Sequence, residues 1–171
     1  VGHQGLCRIG RPSQSYAEND GAEEYSQIVC ICNCCNRVTN DIATVMGVPF
    51  SIAEKLKLDY GSCWLEPEEE NDEVIIPGVG GMAPQLSNKK ILAEIISARV
   101  EEIMLAVRKE VVRHSGLTKL SGTIVLTGGG ANMPGIVTLV QAVWNSSSVG
   151  IGTSAEFGGA DTSYRNADFA T

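Results

Sequence analysis

The longest periodic stretch of the chain runs from Asn88 to about His114. There Ile91, Leu92, Ile95, Ile96, Val100, Ile103, Met104, Val107 and Val111 recur at three- and four-residue steps. That spacing predicts one long helix with a single apolar stripe. Ser87 is placed to cap its start and Gly116 to close it. Arg99, Glu102, Lys109 and Arg113 fall on the opposite face. Such a mixed-charge surface suits plain solvent and also suits a partner peptide. Two shorter helices precede it. The first has apolar residues at Val38, Ile42, Val45 and Met46 and is ended by Gly47. The second opens on Ser51 and Glu54, the spacing of a capping box, with Phe50 as a staple ahead of it. Ile52, Leu56 and Tyr60 make its buried face, which leaves Glu54, Lys55 and Lys57 on the wet side. Tyr25 to Cys32, Cys63-Trp-Leu65 and Glu73 to Ile76 read as strands, the last two as a hairpin or meander. The acidic run Glu66 to Asp72 between them reads as a solvated loop.

A different pattern occupies Thr123 to Ile136. Ile124, Val125 and Leu126 suit a strand buried on both faces, and Gly128, Gly129 and Gly130 follow at once. Glycine has no Cβ, so the backbone can turn sharply and let a flat ligand lie against it. Pro134 is placed at a first helical position, and Ile136, Leu139, Val140 and Val143 then make one apolar face. Strand, glycine turn and helix form a nucleotide-site architecture. The same three glycines also serve a plain tight turn. The run is neither the Gly-x-Gly-x-x-Gly dinucleotide fingerprint nor a P-loop, since no Gly-Lys-Ser/Thr follows.

Composition narrows the function classes. A chain of 171 residues has length for one good core or two small subdomains. A net charge of −7 argues against nucleic acid, because nothing could neutralise a row of phosphates. No run of eighteen apolar residues and no basic-then-apolar leader occurs, so neither a bilayer span nor a signal peptide is expected. The chain starts on Val1 rather than methionine, and it reads as a fragment. Cys30, Cys32, Cys34 and Cys35 crowd together, with Cys7 and Cys63 apart. A zinc site would want a second pair further on, and His3 and His114 show no ligand spacing. Free thiols are the plainer reading beside a metal site.

Four segments, in this order and spacing, resemble the C-terminal half of the FtsA family. They are Val38-Thr-Asn-Asp-Ile-Ala43, Ala53 to Gly61, Ala98-Arg-Val-Glu-Glu-Ile103, and Ile124 to Gly135 with its triple glycine. The resemblance runs from about Tyr25 to Thr171. FtsA is a bacterial cell-division protein of the actin, Hsp70 and sugar-kinase superfamily. The implied fold is α/β, an actin-like (ribonuclease-H-like) lobe with an inserted α+β subdomain. The implied division is residues 1–37 for a phosphate-hairpin region, 38–120 for the insert, and 121–171 for the rest of the nucleotide-binding subdomain.

The resemblance also implies a site. The glycine turn would lie against the adenosine of ATP through Gly128, Gly129 and Gly130, with Asn132 near the adenine. The second helix would reach ribose and base through Glu54 and Lys57; a carboxylate accepts ribose hydroxyls and a lysine stem covers a base. The insert would bind the C-terminal tail of FtsZ, the tubulin-like ring protein, on the face carrying Arg99, Glu102 and Lys109. The implied role is a scaffold linking the division ring to the inner face of the plasma membrane from the cytoplasm. ATP with Mg²⁺ would then act as a conformational and polymerisation ligand, with weak or no turnover. Self-association into actin-like filaments, and a C-terminal amphipathic helix as the membrane anchor, belong to the complete protein.

The chain departs from that family at its start. An Asp-Ile-Gly-Gly-Gly-Thr-Thr-Asp hairpin is expected where Arg8-Ile-Gly-Arg-Pro-Ser-Gln-Ser15 stands, and Pro-x-Gly-Gly where Cys32-Asn-Cys-Cys35 stands. Losing those glycines and that aspartate removes a backbone cradle for phosphate and a partner for Mg²⁺, so this fragment by itself is expected to bind ATP poorly or not at all. The rival readings are an ATP-using enzyme of the same superfamily, a sugar kinase or Hsp70-like ATPase, and a non-functional fragment.

Overall fold

The structure is a computed structural model that describes residues 13–17, 24–28, 34–78, 81, 83–115 and 122–152. In chain order the elements are β1 (Ser13–Ala17), β2 (Glu24–Ile28), α1 (Cys34–Met46), α2 (Phe50–Tyr60), β3 (Glu73–Ile76), β4 (Gln85–Asn88), α3 (Lys89–Ser115), β5 (Ile124–Leu126), α4 (Ile136–Trp144) and β6 (Val149–Ile151). A short 3₁₀ turn covers Gly129–Asn132 between β5 and α4.

Helix α3 is the spine. Its 27 residues make a rod about 40 Å long, enough to touch α1, α2, α4 and β4 along one side. Of the apolar stripe read from the sequence, Leu92, Ile96, Val100, Ile103, Val107 and Val111 lie in the interior, Ile95 and Met104 are half-buried, and Ile91 is 47% exposed. Val38 and Ile42 of α1, Ala53 and Leu56 of α2, Val74 and Ile76 of β3, and Leu139 and Val140 of α4 pack with its first half into one continuous core. Arg108 donates from Nη1 to the carbonyl of Val143 at 3.0 Å, so α3 also satisfies the C-terminal end of α4.

Among the described residues the strands form three separate pairs: β1 with β2 and β3 with β4 antiparallel, β5 with β6 parallel. Parallel neighbours need a crossover, and α4 supplies it, making β5–turn–α4–β6 a βαβ unit. Val74 and Ile76 face the core while Ile75 is exposed, as strand alternation requires.

Several expectations shift on contact with the fold. The long helix starts one residue later than expected, and Asn88, not Ser87, caps it: its Oδ1 accepts the N–H of Lys90 at 2.8 Å. Ser87 is spent in β4, paired with Val74. The capping box at Ser51 and Glu54 does not form. Helix α2 begins at Phe50 after Pro49, whose carbonyl takes the N–H groups of Ile52 and Ala53, and Glu54 is drawn to Lys57 instead. Cys63-Trp-Leu65 is an irregular segment rather than a strand, and β4 is the partner of β3. Pro134 lies in the turn before α4, which begins at Ile136 after Gly135. The acidic run is fastened down rather than free. Lys89 Nζ reaches Glu69 at 2.9 Å and Asp72 at 3.6 Å, and Lys90 reaches Glu70 at 2.8 Å. Two lysines in the first turn of α3 oppose the positive end of its dipole, and these carboxylates offset that conflict. Cys30, Cys32 and Gly116 lie outside the described residues.

Candidate functional site

The triple-glycine segment takes the sharp path its composition allows. Gly128 sits at φ 84°, ψ 170°, a conformation essentially closed to residues with a Cβ. Its carbonyl accepts the N–H of Ala131 at 2.9 Å, closing the turn over Gly129 and Gly130. Ala131 is buried and anchors the turn, while Gly129 and Asn132 are exposed and Gly128 and Gly130 are half-buried. The result is a stretch of bare backbone at the C-terminal end of β5, where ligands of α/β folds collect.

The turn is held from below by the segment that follows α2. The Cys63 N–H donates to the Pro134 carbonyl at 2.8 Å, and the Ser62 hydroxyl approaches the same oxygen at 3.3 Å. Gly135 is left-handed at φ 74°, and a Cβ there would stand 2.6 Å from the Trp64 nitrogen. Burial pushes the Cys63 thiol up to about 12, so it is an inert packing group. Cys63 is a free thiol, and no group of three or more His, Cys, Asp or Glu among the described residues could hold a metal.

Glu54 and Lys57 form a polar knot between α2 and α1. The Lys57 ammonium is almost wholly buried and reaches Glu54 Oε1 at 2.8 Å, Glu54 Oε2 at 2.7 Å and the Thr39 hydroxyl at 2.9 Å. The Thr39 hydroxyl in turn contacts Glu54 Oε2 and the Cys35 carbonyl, the latter at 3.0 Å. Burial pushes the Glu54 carboxyl up, but the Lys57 and Thr39 hydrogen bonds more than reverse this and hold it below the ordinary carboxylate range. A carboxylate offers about four lone-pair sites, and contacts among the described residues engage three of them here. One site on Oε1 is left, so Glu54 as placed can take one hydroxyl of a ligand rather than two. Beyond α2 itself, the contacts of Glu54 and Lys57 go to α1, while the segment after α2 reaches the turn before α4 through the Cys63 and Ser62 bonds to the Pro134 carbonyl.

Arg99 is not a free cation on an open face. Its guanidinium forks onto Asp41 of α1, with Nη2 to Oδ1 at 2.9 Å and Nε to Oδ2, while Nη1 meets Glu102. Arg99 and Glu102 are therefore brought together, whereas Lys109 lies exposed more than two turns further along α3. Thr39 and Asp41 were missed as site residues. Both sit inside the Val38-Thr-Asn-Asp-Ile-Ala43 motif, and the three polar residues Thr39, Asn40 and Asp41 between buried Val38 and Ile42 were the available signal.

With this geometry in view, comparison with known proteins sets the class first. The chain superposes on MreB5 of Spiroplasma citri, solved bound to ADP, with a TM-score of 0.54 over 77% of this chain and 43% of that one, at 13% identity. The fold is therefore actin-like, an α/β architecture. The family model for Cell division protein FtsA matches residues 15–171, and the chain belongs to the FtsA family. It is 39% identical over 127 residues to the cell division protein FtsA of Borreliella burgdorferi, covering 74% of this chain and 30% of that protein. Against the Enterococcus faecalis FtsA it is 40% identical over 109 residues, 64% of this chain and 24% of the relative. Against that of Neisseria meningitidis it is 35% identical over 138 residues, 80% of this chain and 33% of the relative. The chain thus spans about a third or less of the relatives it matches. No helix among the described residues is long and apolar enough to cross a membrane.

Proposed function

We propose that this chain is the nucleotide-gripping and ring-binding part of a cell-division scaffold. The bare backbone of the Gly128–Gly130 turn carries the reading. It supports a purine lying flat on Gly129 and Gly130, with Asn132 beside the base and Glu54 taking a ribose hydroxyl on its open Oε1 lone pair. Lys57 then acts mainly by holding Glu54 ionised and oriented, since its own ammonium is buried among Glu54, Thr39 and the α1 backbone. ATP is the ligand this arrangement suits, because adenine offers a flat face and ribose a hydroxyl. Mg²⁺ would come with the phosphates, coordinated by them and by water. The nucleotide serves as a conformational and polymerisation ligand of an actin-like filament rather than as a substrate turned over quickly.

The second half of the proposal concerns the partner. The FtsZ C-terminal tail, short and partly acidic, docks on the α3 face carrying Arg99, Glu102 and Lys109. Residues 1–37, 38–120 and 121–171 then correspond to the hairpin region, the partner-binding insert and the remainder of the nucleotide subdomain. The scaffold works in the cytoplasm at the inner face of the membrane at the division site, attached through an amphipathic helix of the complete protein.

Gly129 tests the nucleotide half directly. It has no left-handed φ, so Gly129→Val is compatible with the backbone while placing two methyls where the base would lie. In the full-length protein the variant is expected to bind a fluorescent N-methylanthraniloyl-ATP at least about tenfold more weakly, with an unchanged melting temperature. Equal affinity of the two forms would overturn the site.

A further inference from the structure

An open groove of about 360 Å³ runs beside α3 on a face that the proposed function does not use. Its long wall is the row Ala93, Ser97 and Glu101, four residues apart, with Glu94 alongside. Cys63, Trp64, Leu65 and the buried Leu139 of α4 also line it. Ala93 and Ser97 are small and leave a trough in the helix surface, while the Trp64 side chain stands 45% exposed at its edge. The wall is preformed. Cys63 is hydrogen-bonded to Pro134, and Gly135 packs against the Trp64 backbone, so little order remains to be created on binding.

The charges of the groove are unbalanced. Among the described residues, Glu70, Glu94 and Glu101 line it against one cation, Lys90, whose ammonium is committed to Glu70 at 2.8 Å. Glu94 and Glu101 enter no salt bridge among the described residues and are exposed at the rim. They are seven residues apart on a helix, about 10.5 Å along its axis. A segment in the extended polyproline II form has three residues per turn and rises about 3.1 Å per residue, so two basic side chains three residues apart share one face about 9 Å apart and match the two carboxylates. Arg99 lies about 200° round the helix from Ser97, on the far flank. An acidic tail suited to Arg99 would be repelled here.

We propose that this groove docks an extended segment of a partner protein in which an aliphatic side chain sits between two basic residues three apart. The aliphatic group enters the Ala93–Ser97 trough against Trp64 and Leu139, and the basic groups reach Glu94 and Glu101. Apolar contact gives the affinity, and the two charges set direction and exclude acidic competitors.

The test is fluorescence polarisation with the full-length protein and a pool of fluorescein-labelled octapeptides. The pool has a fixed Lys-Leu-x-Arg centre and Gly or Ser elsewhere, and a control pool reads Glu-Leu-x-Glu. Saturable binding of the basic pool is expected, weakened at least about tenfold by Glu94→Gln with Glu101→Gln and by added salt, with no binding of the control. Filling the trough with Ser97→Trp should abolish binding while Arg99→Ala leaves it unchanged, which separates this surface from the proposed ring-binding face. Three results would overturn the inference: no saturable binding of the basic pool up to about 1 mM, equal binding of the acidic pool, or self-association of the protein that the Glu94 and Glu101 substitutions dissolve.

Discussion

Arg99 and Asp41 join the two helices that flank the core, α3 and α1, through a forked guanidinium–carboxylate pair whose side chains are 25% and 22% exposed. The Asp41 hydrogen bonds, ahead of the cost of partial burial, hold the Arg99 pKa above its ordinary value, so the cation is fixed at every working pH. Any acidic ligand of Arg99 must share the guanidinium with Asp41 or displace it. A double-mutant cycle of Arg99→Ala and Asp41→Ala, read by urea unfolding, should give a coupling of about 1 kcal/mol. Arg99→Lys should recover only part of it, because an ammonium cannot reproduce the fork. A coupling indistinguishable from zero would mean that the pair is incidental to the packing of α1 on α3.

The Glu54–Lys57–Thr39 knot predicts an acid-sensitive element. The Glu54 carboxyl is held below its ordinary value of 4.5 in the folded protein, so folding releases its proton more readily. Its contribution to stability is complete above pH 4.5 and is lost as the pH falls through the lower folded value. Glu54→Gln should therefore destabilise the protein at neutral pH and have a smaller effect at pH 3, measured by urea unfolding at both pH values. At neutral pH the loss should be about 2 kcal/mol. Lys57 is left buried and unpaired, but over a third of the Glu54 side chain is open to water, which moderates the cost. An identical loss at both pH values would show that the ionised pair contributes nothing.

Two left-handed glycines should respond differently to the same substitution. Gly47→Ala meets nothing within 4 Å and carries only the backbone penalty of φ +65°, about 1 kcal/mol. Gly135→Ala adds a collision 2.6 Å from the Trp64 backbone, and the two terms together predict about 3 kcal/mol. Chemical denaturation of the two variants compares them, and equal losses would contradict the close approach of Gly135 to Trp64.

Asn88→Ala should remove the α3 cap and reduce stability by about 1 kcal/mol, whereas Ser87→Ala should change it little. Reversal of that order in thermal melts would restore the cap to Ser87.

What could be read from the chain depended on how far each signal is from its cause. The α3 stripe was legible because every turn repeats the same burial requirement, and Leu92, Ile96 and Val100 meet it in succession. Helix α1 was found for the same reason, though it starts at Cys34 rather than Val38 because polar and cysteine residues in its first turn break the apolar period. Strand β4 was not legible. Gln85-Leu-Ser-Asn88 carries no β-branched residue, and only its pairing with Glu73–Ile76 makes it a strand. The capping box failed for a similar reason: Ser51 and Glu54 had the right spacing, but a buried lysine 18 residues from Thr39 competed for the carboxylate. The glycine turn was legible as a turn, and its exposed backbone follows from composition. The Glu54–Lys57–Thr39 cluster depends on the packing of α1 against α2, which no local pattern encodes.

The bond from Cys63 to Pro134 and the lack of clearance between Gly135 and Trp64 leave no play between the groove wall and the glycine bend. A bulkier side chain at this junction therefore presses on the Trp64 segment and on the entry to α4 at once, so a single added methyl at Gly135 disturbs two parts of the chain some seventy positions apart.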